Sequence, residues 1–296
     1  MTSAPPTSLP ALPCYLNGEF TTLQEAKVSV MDRGFLLGDG VYEVVPVYSG
    51  RLFRFEEHMG RLDRSLAELR ITNPMTRQQW RDIALWLVAG HAALEGDGPQ
   101  SVYIQVTRGV AMRDHAMVPG LTPTVFVMIN AAALASVAQR AQGVACVTAE
   151  DFRWRKAHIK AISLLGAVMA RQISVDAGAA ETIMFREGFL SEGASSNVWV
   201  VKNGAVAGTP RDNLVLEGIR YGLIEGLCRE AGIPFQLRRV SQGEVAQADE
   251  LILSSAGKEV MPVTLLDGKP VGNGVPGPIY ELLYDGYQHL KLDQPA

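Results

Sequence analysis

Helix-like and strand-like patterns of apolar residues alternate along the first half of the chain. Apolar side chains recur at every third or fourth position over residues 56–69, which predicts a helix, and Thr76 begins a second helix that reaches about Leu94. The turn sequences Asn17-Gly18 and Ser49-Gly50 indicate two hairpins. The strands predicted in this half cover residues 14–20, 41–48, 51–55, 102–107 and 124–129.

The same alternation resumes after an Ala-, Ser- and Gln-rich stretch that has no clear period. Mixed helices and strands in both halves are typical of two domains of α/β or α+β class. The helices predicted in the second half cover residues 163–177, 218–231 and 277–290, and the strands cover 144–148, 181–185, 197–201, 235–240 and 251–254. We therefore expect a proline-rich flexible tail over residues 1–13, an N-terminal domain over 14–131, a linker over 132–142 and a C-terminal domain over 143–296.

The composition restricts the class of protein and its location. A formal charge of −4 and a pI of about 5.8 disfavour a general nucleic-acid-binding or anionic-membrane-binding surface, and no apolar run is long enough to span a membrane. Cys14, Cys146 and Cys228 are far apart, which is typical of a reducing compartment and of neither a disulfide framework nor a zinc site. The five histidines show no metal-ligand spacing, so we expect a cytoplasmic protein without a metal site.

Lys160 lies between a cationic segment and an apolar one. Residues 153–156 read Arg-Trp-Arg-Lys, and an apolar predicted helix follows Lys160. Nearby cations and an apolar environment both destabilise a protonated ammonium, and an unprotonated amine is a nucleophile. The alternative is a lysine whose stem lies along a half-buried segment while its ammonium reaches solvent. This stretch alone leaves both interpretations open.

Two further segments contain charges that could serve a ligand. Residues 191–197 read Ser-Glu-Gly-Ala-Ser-Ser-Asn, which suits a loop that presents one carboxylate and several hydrogen-bond donors. A turn with only local hydrogen bonds would have the same composition. Arg61 lies on a predicted helix that, taken alone, is typical of an amphipathic surface.

Four short motifs in one order carry a family resemblance. The motifs are Asp32-Arg33-Gly34 with Gly38-Asp39-Gly40-Val41-Tyr42-Glu43, His58-x-x-Arg61-Leu62, Lys160-Ala-Ile-Ser-Leu-Leu, and Glu192-Gly-x-Ser-Ser-Asn197. This set resembles the fold-type IV enzymes that use pyridoxal 5'-phosphate (PLP): D-amino-acid and branched-chain aminotransferases and aminodeoxychorismate lyases. The match extends from about Tyr15 to Tyr287 and implies a smaller N-terminal α/β domain, a larger C-terminal pseudo-barrel domain, and PLP in the cleft between them.

The resemblance implies a role for each charged residue. Lys160 would form the internal Schiff base with PLP and move a proton between Cα and C4′, and Glu192 would bind the pyridine nitrogen. Arg61 would anchor the phosphate, helped by backbone N–H groups at the start of the helix near Gly218. The implied cofactor-binding residues are Arg61, Lys160, Glu192, Ser195, Leu216, Ile219, Arg220, Ser255 and Ala256.

The segment Arg113-Asp114-His115 narrows the substrate class. It resembles the substrate-carboxylate trap of the D-amino-acid aminotransferases, which Tyr42 would complete. In this family the trap and the lysine come from different subunits, so a homodimer is implied. The expected reaction converts D-alanine and 2-oxoglutarate to pyruvate and D-glutamate. A branched-chain L-amino-acid aminotransferase and an aminodeoxychorismate lyase are the alternatives on this scaffold.

Two positions depart from the family pattern on the phosphate side. Arg220 stands where the family usually has threonine, and Ser254-Ser255-Ala256-Gly257 stands where members often have Ser-Ser-Thr-Thr. Two hydroxyls are therefore missing. Either Arg220 replaces them with a charge-assisted hydrogen bond to the phosphate, or Arg220 points to solvent and backbone amides suffice.

Overall fold

A computed structural model describes residues 9–292, which divide into two compact units. The first comprises residues 9–132 together with Lys160–Ser163, and the second comprises Ala133–Ile159 and residues 164–292. Most of the predicted tail, residues 1–8, lies outside the described residues, and Pro13 is already the first residue of a strand. Among residues 9–292, no helix combines the length and the apolar character needed to cross a membrane.

The first unit is built on an antiparallel six-stranded sheet. Its elements are β1 (Pro13–Leu16), β2 (Glu19–Thr22), α1 (Arg33–Leu37), β3 (Gly40–Tyr48), β4 (Arg51–Leu52), α2 (Phe55–Glu68), α3 (Arg77–Glu95), β5 (Gln100–Thr107) and β6 (Thr124–Ala131). The strand order is β2-β1-β6-β5-β3-β4. Both predicted hairpins are confirmed, because Leu16 pairs with Glu19 and Tyr48 pairs with Arg51.

The helices of the first unit follow their sequence signals. Met59, Leu62 and Leu66 are at most 1% exposed, so the periodic apolar face of α2 is its buried face. A capping box between Thr76 and Gln79 begins α3. The five-residue helix α1 was not predicted, since it is too short to show a period.

The second unit is built on a mixed nine-stranded sheet. Its elements are α4 (Val137–Gln142), β7 (Val144–Glu150), α5 (Leu165–Asp176), β8 (Glu181–Arg186), β9 (Phe189–Gly193), β10 (Asn197–Lys202), β11 (Ala205–Gly208), α6 (Arg220–Glu230), β12 (Phe235–Leu237), α7 (Gln242–Ala246), β13 (Glu250–Ser255), β14 (Glu259–Leu266), β15 (Lys269–Pro270) and α8 (Pro278–Leu292). The order is β12-β11-β10-β13-β14-β7-β8-β9, with β15 on β14. The β11–β12, β14–β7 and β7–β8 pairs are parallel.

The segment predicted as a linker contains a helix. A capping box between Ser136 and Gln139 begins α4, and the buried Arg140 donates to Glu259 at 2.7 Å. Six residues give too short a period to detect in a stretch of Ala, Ser and Gln. Residues 133–142 therefore pack as part of the second unit and do not form a free connection.

Candidate active site

Lys160 is held against strand β3 by its backbone. The Tyr42 N–H donates to the Lys160 carbonyl and the Ile162 N–H donates to the Gly40 carbonyl, each at 3.0 Å. The Lys160 N–H donates to Ser65 Oγ in α2 at 3.2 Å. These bonds place Lys160 Nζ 4.1 Å from the centroid of the Tyr42 ring. An extended backbone segment therefore fixes the amine on the face of a phenol ring.

An apolar helix follows Lys160, as the sequence predicted. The apolar helix α5 begins at Leu165, five residues later, and Leu165, Val168 and Met169 on it are 73%, 60% and 56% exposed. Lys160 is thus not carried by that helix, because residues 160–162 pair with a strand of the first unit.

Tyr42 is half-buried and stacks on a second tyrosine. The ring centroids of Tyr42 and Tyr103 are 5.7 Å apart, on neighbouring strands β3 and β5. Burial, with a smaller contribution from Tyr42, raises the pKa of the Tyr103 phenol to about 12. The Tyr103 hydroxyl donates to Gln105 Oε1 at 2.7 Å. Tyr103 therefore keeps its hydroxyl proton at neutral pH.

Arg61 is fixed by a buried carboxylate. Arg61 Nε and Nη2 donate to the two carboxylate oxygens of Glu43 at 2.7 and 2.8 Å, and His58 Nδ1 lies 2.7 Å from Glu43 Oε2. Glu43 and His58 are fully buried, and Arg61 is 6% exposed. Burial alone would raise the pKa of Glu43, but the Arg61 charge and hydrogen bonds hold it well below its usual range. The bidentate pair gives the guanidinium one orientation.

Glu192 lies in a strand and not in the loop that the sequence predicted. It is 5% exposed in β9, where Arg153 Nη1 lies 2.9 Å from Glu192 Oε1 and the Leu216 N–H donates to Oε2 at 3.2 Å. Burial raises the pKa of Glu192 to about 7, although the ion pair with Arg153 opposes that shift. Glu192 is therefore a carboxyl that exchanges its proton near neutral pH.

This raised pKa predicts that the free energy of unfolding of the cofactor-free protein depends on pH. Folded Glu192 keeps its proton up to about pH 7, whereas an unfolded glutamate releases it near 4.5, so the free energy of unfolding falls as the pH rises between these values. The separation corresponds to about 3 kcal/mol. Glu192→Gln, which does not titrate, should remove this slope in urea unfolding curves measured from pH 5 to 8.

A matched glutamate serves as the control for this slope. Glu281→Gln, at an exposed position in the first turn of α8, should leave the pH dependence as it is in the wild type. A wild-type slope that persists in Glu192→Gln would contradict the raised pKa.

Three further segments of the second unit meet beside Glu192. Asn197 pairs with Ser254 across β10 and β13, and its side-chain amide donates to the Leu216 carbonyl at 3.0 Å. Gly218 approaches Asn197 so closely that a Cβ there would lie 2.0 Å from Asn197 Oδ1. The segments that contain Ser195, Leu216, Ile219, Ser255 and Ala256 are thus brought together. Helix α6 starts after Ile219, and no side chain caps its first N–H groups. These N–H groups are therefore available to bind an anion.

Arg220 is buried and not directed to solvent. It is 2% exposed, and its Nη2 donates to the Tyr287 hydroxyl in α8 at 3.0 Å. The solvent-exposed alternative for Arg220 is therefore wrong, because the side chain packs against α8. Its contact with a phosphate stays a prediction.

Arg113 and His115 lie on the loop between β5 and β6. Both side chains are exposed, and the loop is anchored where Arg33 Nη1 donates to the Asp114 carbonyl at 2.7 Å. The first unit places Tyr42 beside Lys160, whereas it leaves these two residues on the surface of the chain.

Several residues that shape these sites were not found from sequence. Glu43 stood inside a quoted motif, yet its bond to Arg61 joins positions on different elements. Arg153 was read as part of a cationic cluster, but it binds the carboxylates of Asp151 and Glu192 at 2.9 Å. Long-range pairs of this kind give no periodic signal in the sequence.

Comparison with known proteins places the chain in a family. Residues 40–266 match the family described as amino-transferase class IV. The chain is 36% identical over 280 residues to a D-alanine aminotransferase of Bacillus licheniformis, covering 95% of this chain and 97% of that protein. It is 37% identical over 275 residues to the D-alanine aminotransferase of Staphylococcus aureus (strain COL), covering 93% and 96%. The chain therefore belongs to the class IV aminotransferase family.

Solved structures show the same fold. The T.th. branched-chain amino acid aminotransferase with pyridoxamine 5'-phosphate has a TM-score of 0.88 at 23% identity, covering 97% of both chains. The branched-chain aminotransferase of Thermoproteus uzoniensis with norvaline has a TM-score of 0.84 at 23% identity, covering 95% of both chains. The predictions of a two-domain fold-type IV protein and of an aminotransferase are confirmed.

PLP is the cofactor of this family, and the described residues fit it. The first unit offers an amine on Lys160 and a fixed guanidinium on Arg61, which suit an aldehyde and a phosphate. The second unit offers the buried carboxyl of Glu192, whose pKa of about 7 suits a protonated ring nitrogen. Metal ligation has no comparable support, since no group of three or more His, Cys, Asp or Glu among residues 9–292 could hold an ion.

Proposed function

We propose that this protein is a D-amino-acid aminotransferase that converts D-alanine and 2-oxoglutarate to pyruvate and D-glutamate. The observation that carries this proposal is the likeness to D-alanine aminotransferases, at 36% identity over 95% of the chain. The Arg113-x-His115 segment supports it, because a guanidinium and an imidazole can hold one carboxylate in a fixed orientation.

Lys160, Glu192 and Arg61 have separate roles in the proposed reaction. PLP, when bound, supplies an electron sink for the carbanion at Cα. Lys160 binds the cofactor, accepts the Cα proton of the amino acid on Nζ, and returns that proton to C4′. Glu192, as a carboxylate, would accept a hydrogen bond from the protonated ring nitrogen, and Arg61, oriented by Glu43, would anchor the phosphate.

The remaining cofactor contacts come from the second unit. The first N–H groups of α6, after Ile219, are offered to the phosphate together with Arg220, Ser255 and Ala256. Leu216 would pack against the ring, and its N–H donates to Glu192 Oε2 at 3.2 Å. Ser195 adds a hydroxyl from the segment that follows β9.

A homodimer would complete this active site. Arg113 and His115 are exposed in one chain, as expected for residues that serve a second copy. Tyr42 lies beside Lys160 of its own chain, so only Arg113 and His115 would come from the other subunit, and Tyr42 would complete the carboxylate trap from the subunit that provides the lysine. Helix α5 exposes Leu165, Val168 and Met169 to solvent in one chain. An exposed apolar face of this kind is typical of an interface between subunits. Sedimentation of the purified protein measures this state directly.

The location that we propose is the cytoplasm. Cys14, Cys146 and Cys228 are all buried and free, which suits a reducing compartment. The proposed partners are an amino acid, a 2-oxo acid and a second copy of the chain.

A half-reaction scan tests the proposed function. The purified yellow holoenzyme is mixed with single D- or L-amino acids, and loss of the visible band reports transfer of the amino group to the cofactor. D-alanine should bleach the band fastest. Faster bleaching by L-leucine would favour a branched-chain aminotransferase, and steady release of pyruvate from aminodeoxychorismate would favour a lyase.

Arg113→Leu should raise the KM for D-alanine about 10- to 100-fold, because the substrate carboxylate loses a charge-assisted bidentate partner. Binding of PLP should change little, since Arg113 lies outside the predicted cofactor-binding set. Steady-state kinetics and a PLP titration measure the two effects. Arg51→Leu, at another exposed arginine of the first unit, is the control. A variant with unchanged KM would contradict the trap.

A further inference from the structure

Lys258, which is partly exposed, forms an ion pair with a buried carboxylate that no sequence signal indicated. Its Nζ donates to Glu181 Oε2 and to Ser195 Oγ, each at 2.9 Å. Glu181 is fully buried and also accepts from the Ser195 and Ser196 hydroxyls at 2.8 Å. Burial alone would raise the pKa of Glu181, but Lys258 and the two hydroxyls lower it. Glu181 is therefore ionised at neutral pH, with Lys258 Nζ as its ion-pair partner.

The other end of Lys258 binds the turn after β13. Its backbone N–H donates to Ser255 Oγ at 3.0 Å. Ser195 and Ser255 belong to the set of residues predicted to bind PLP, and Lys258 contacts both. Asn197 pairs with Ser254, so the segment that contains Ser195 and the turn that follows Ser254 lie side by side at the edge of these strands. Lys258 joins the two segments, because it contacts both Ser195 and Ser255.

The far side of the same turn is held by a second buried carboxylate. Glu259 accepts from Arg140 and Lys291, each at 2.7 Å. Its φ of +56° is in the left-handed region, which is costly for a residue other than glycine. A strained turn keeps its shape only when its surroundings fix it, and Glu259 fixes one side. Lys258 is then the contact that ties the turn to Ser195.

We infer that Lys258 is a positioning residue for the cofactor, holding the Ser195 segment and the turn at residues 255–258 in the arrangement that binds PLP. This inference rests on the proposed function for the identity of the ligand. It also addresses the family departure at Ala256, where the turn lacks the threonine hydroxyl that family members often have. A turn with fewer direct bonds to the phosphate depends more on being held in place.

Four variants of the purified protein test this inference. Lys258→Met removes the hydrogen bond between Lys258 and Ser195, and it also leaves the buried Glu181 carboxylate without its ion-pair partner. The double variant Lys258→Met with Glu181→Gln removes the tie without a stranded charge, since glutamine still accepts from the two serines. Lys258→Arg keeps a cation within reach of Glu181. Lys202→Met, which loses an exposed pair with Asp249 in the same unit, is the control.

The measurements are the dissociation constant of PLP, the Tm of the cofactor-free protein and the KM for D-alanine at saturating PLP. Lys258→Met and the double variant should each weaken PLP binding about tenfold. The single variant should also lower the Tm by on the order of 10 °C, and the double variant should recover most of that loss. Lys258→Arg should bind PLP within about threefold of the wild type, and KM should stay unchanged throughout.

Two outcomes would overturn the inference, and they are distinguishable. A double variant with wild-type PLP affinity would show that the ion pair serves folding alone, while the proposed function would stand. A wild-type protein that forms no borohydride-sensitive yellow band with PLP would remove both the proposed function and this role of Lys258.

Discussion

Replacing Lys160 with alanine should abolish transamination of D-alanine, lowering kcat by at least about 10⁴-fold. Alanine has no amine to bind the cofactor and none to move a proton between Cα and C4′, and proton transfer by a positioned group alone is worth about 10²–10⁴-fold. The fold should persist, because residues 160–162 are held by backbone bonds to Tyr42 and Gly40 that do not involve the lysine side chain. A coupled assay for pyruvate measures the rate, and circular dichroism checks the fold.

The control for this variant is Lys269→Ala, at an exposed position in β15, which should keep wild-type activity. An added small amine such as methylamine should restore part of the lost rate in Lys160→Ala, because it fills the space of the missing side chain. Turnover of D-alanine that remains within tenfold of the wild type would refute the role of Lys160.

Arg61→Met should have the largest effect on stability. It leaves the fully buried Glu43 without its bidentate partner, and breaking a buried ion pair in this way costs about 3–5 kcal/mol. The same change should weaken PLP binding at least about 100-fold, because the phosphate loses its guanidinium anchor. Urea unfolding of the cofactor-free protein and a PLP titration separate the two losses.

A double variant distinguishes stability from cofactor binding at Arg61. In Glu43→Gln with Arg61→Met no charge is stranded, so most of the unfolding free energy should return, whereas PLP should still bind weakly. If Arg61→Met alone is as stable as the wild type, the account of Glu43 as an ionised buried partner is wrong. If the double variant binds PLP normally, Arg61 is not the phosphate anchor.

Local signals made much of the fold predictable from the sequence. The apolar period of α2, the capping box of α3 and the Asn17-Gly18 turn each depend on residues within one element. Strand β9 escaped prediction because Ser191 and Glu192 put polar side chains where a buried strand normally has apolar ones. Their partners, Asp151 and Arg153, lie some forty positions away in the chain.

The site shows the same division between local motif and distant contact. Lys160, Glu192 and Arg61 could be named because short motifs surround them, and that resemblance also gave the family. The contacts that orient these residues could not be predicted. Glu43 in β3 binds Arg61 in α2, and Tyr42, also in β3, lies beside Lys160, which is far away in the sequence. The pair of Lys258 and Glu181 joins residues 77 positions apart and has no motif at all.

The pKa of about 7 at Glu192 should make the affinity for PLP depend on pH. Below that pH the cofactor-free protein already holds a proton on Glu192, and in the proposed site this proton would be available to the ring nitrogen without exchange with solvent. Above it the complex must take that proton from water, so the affinity for PLP should decline as the solution becomes alkaline. In the proposed site the buried carboxyl would thus supply a proton that it already carries before the cofactor binds.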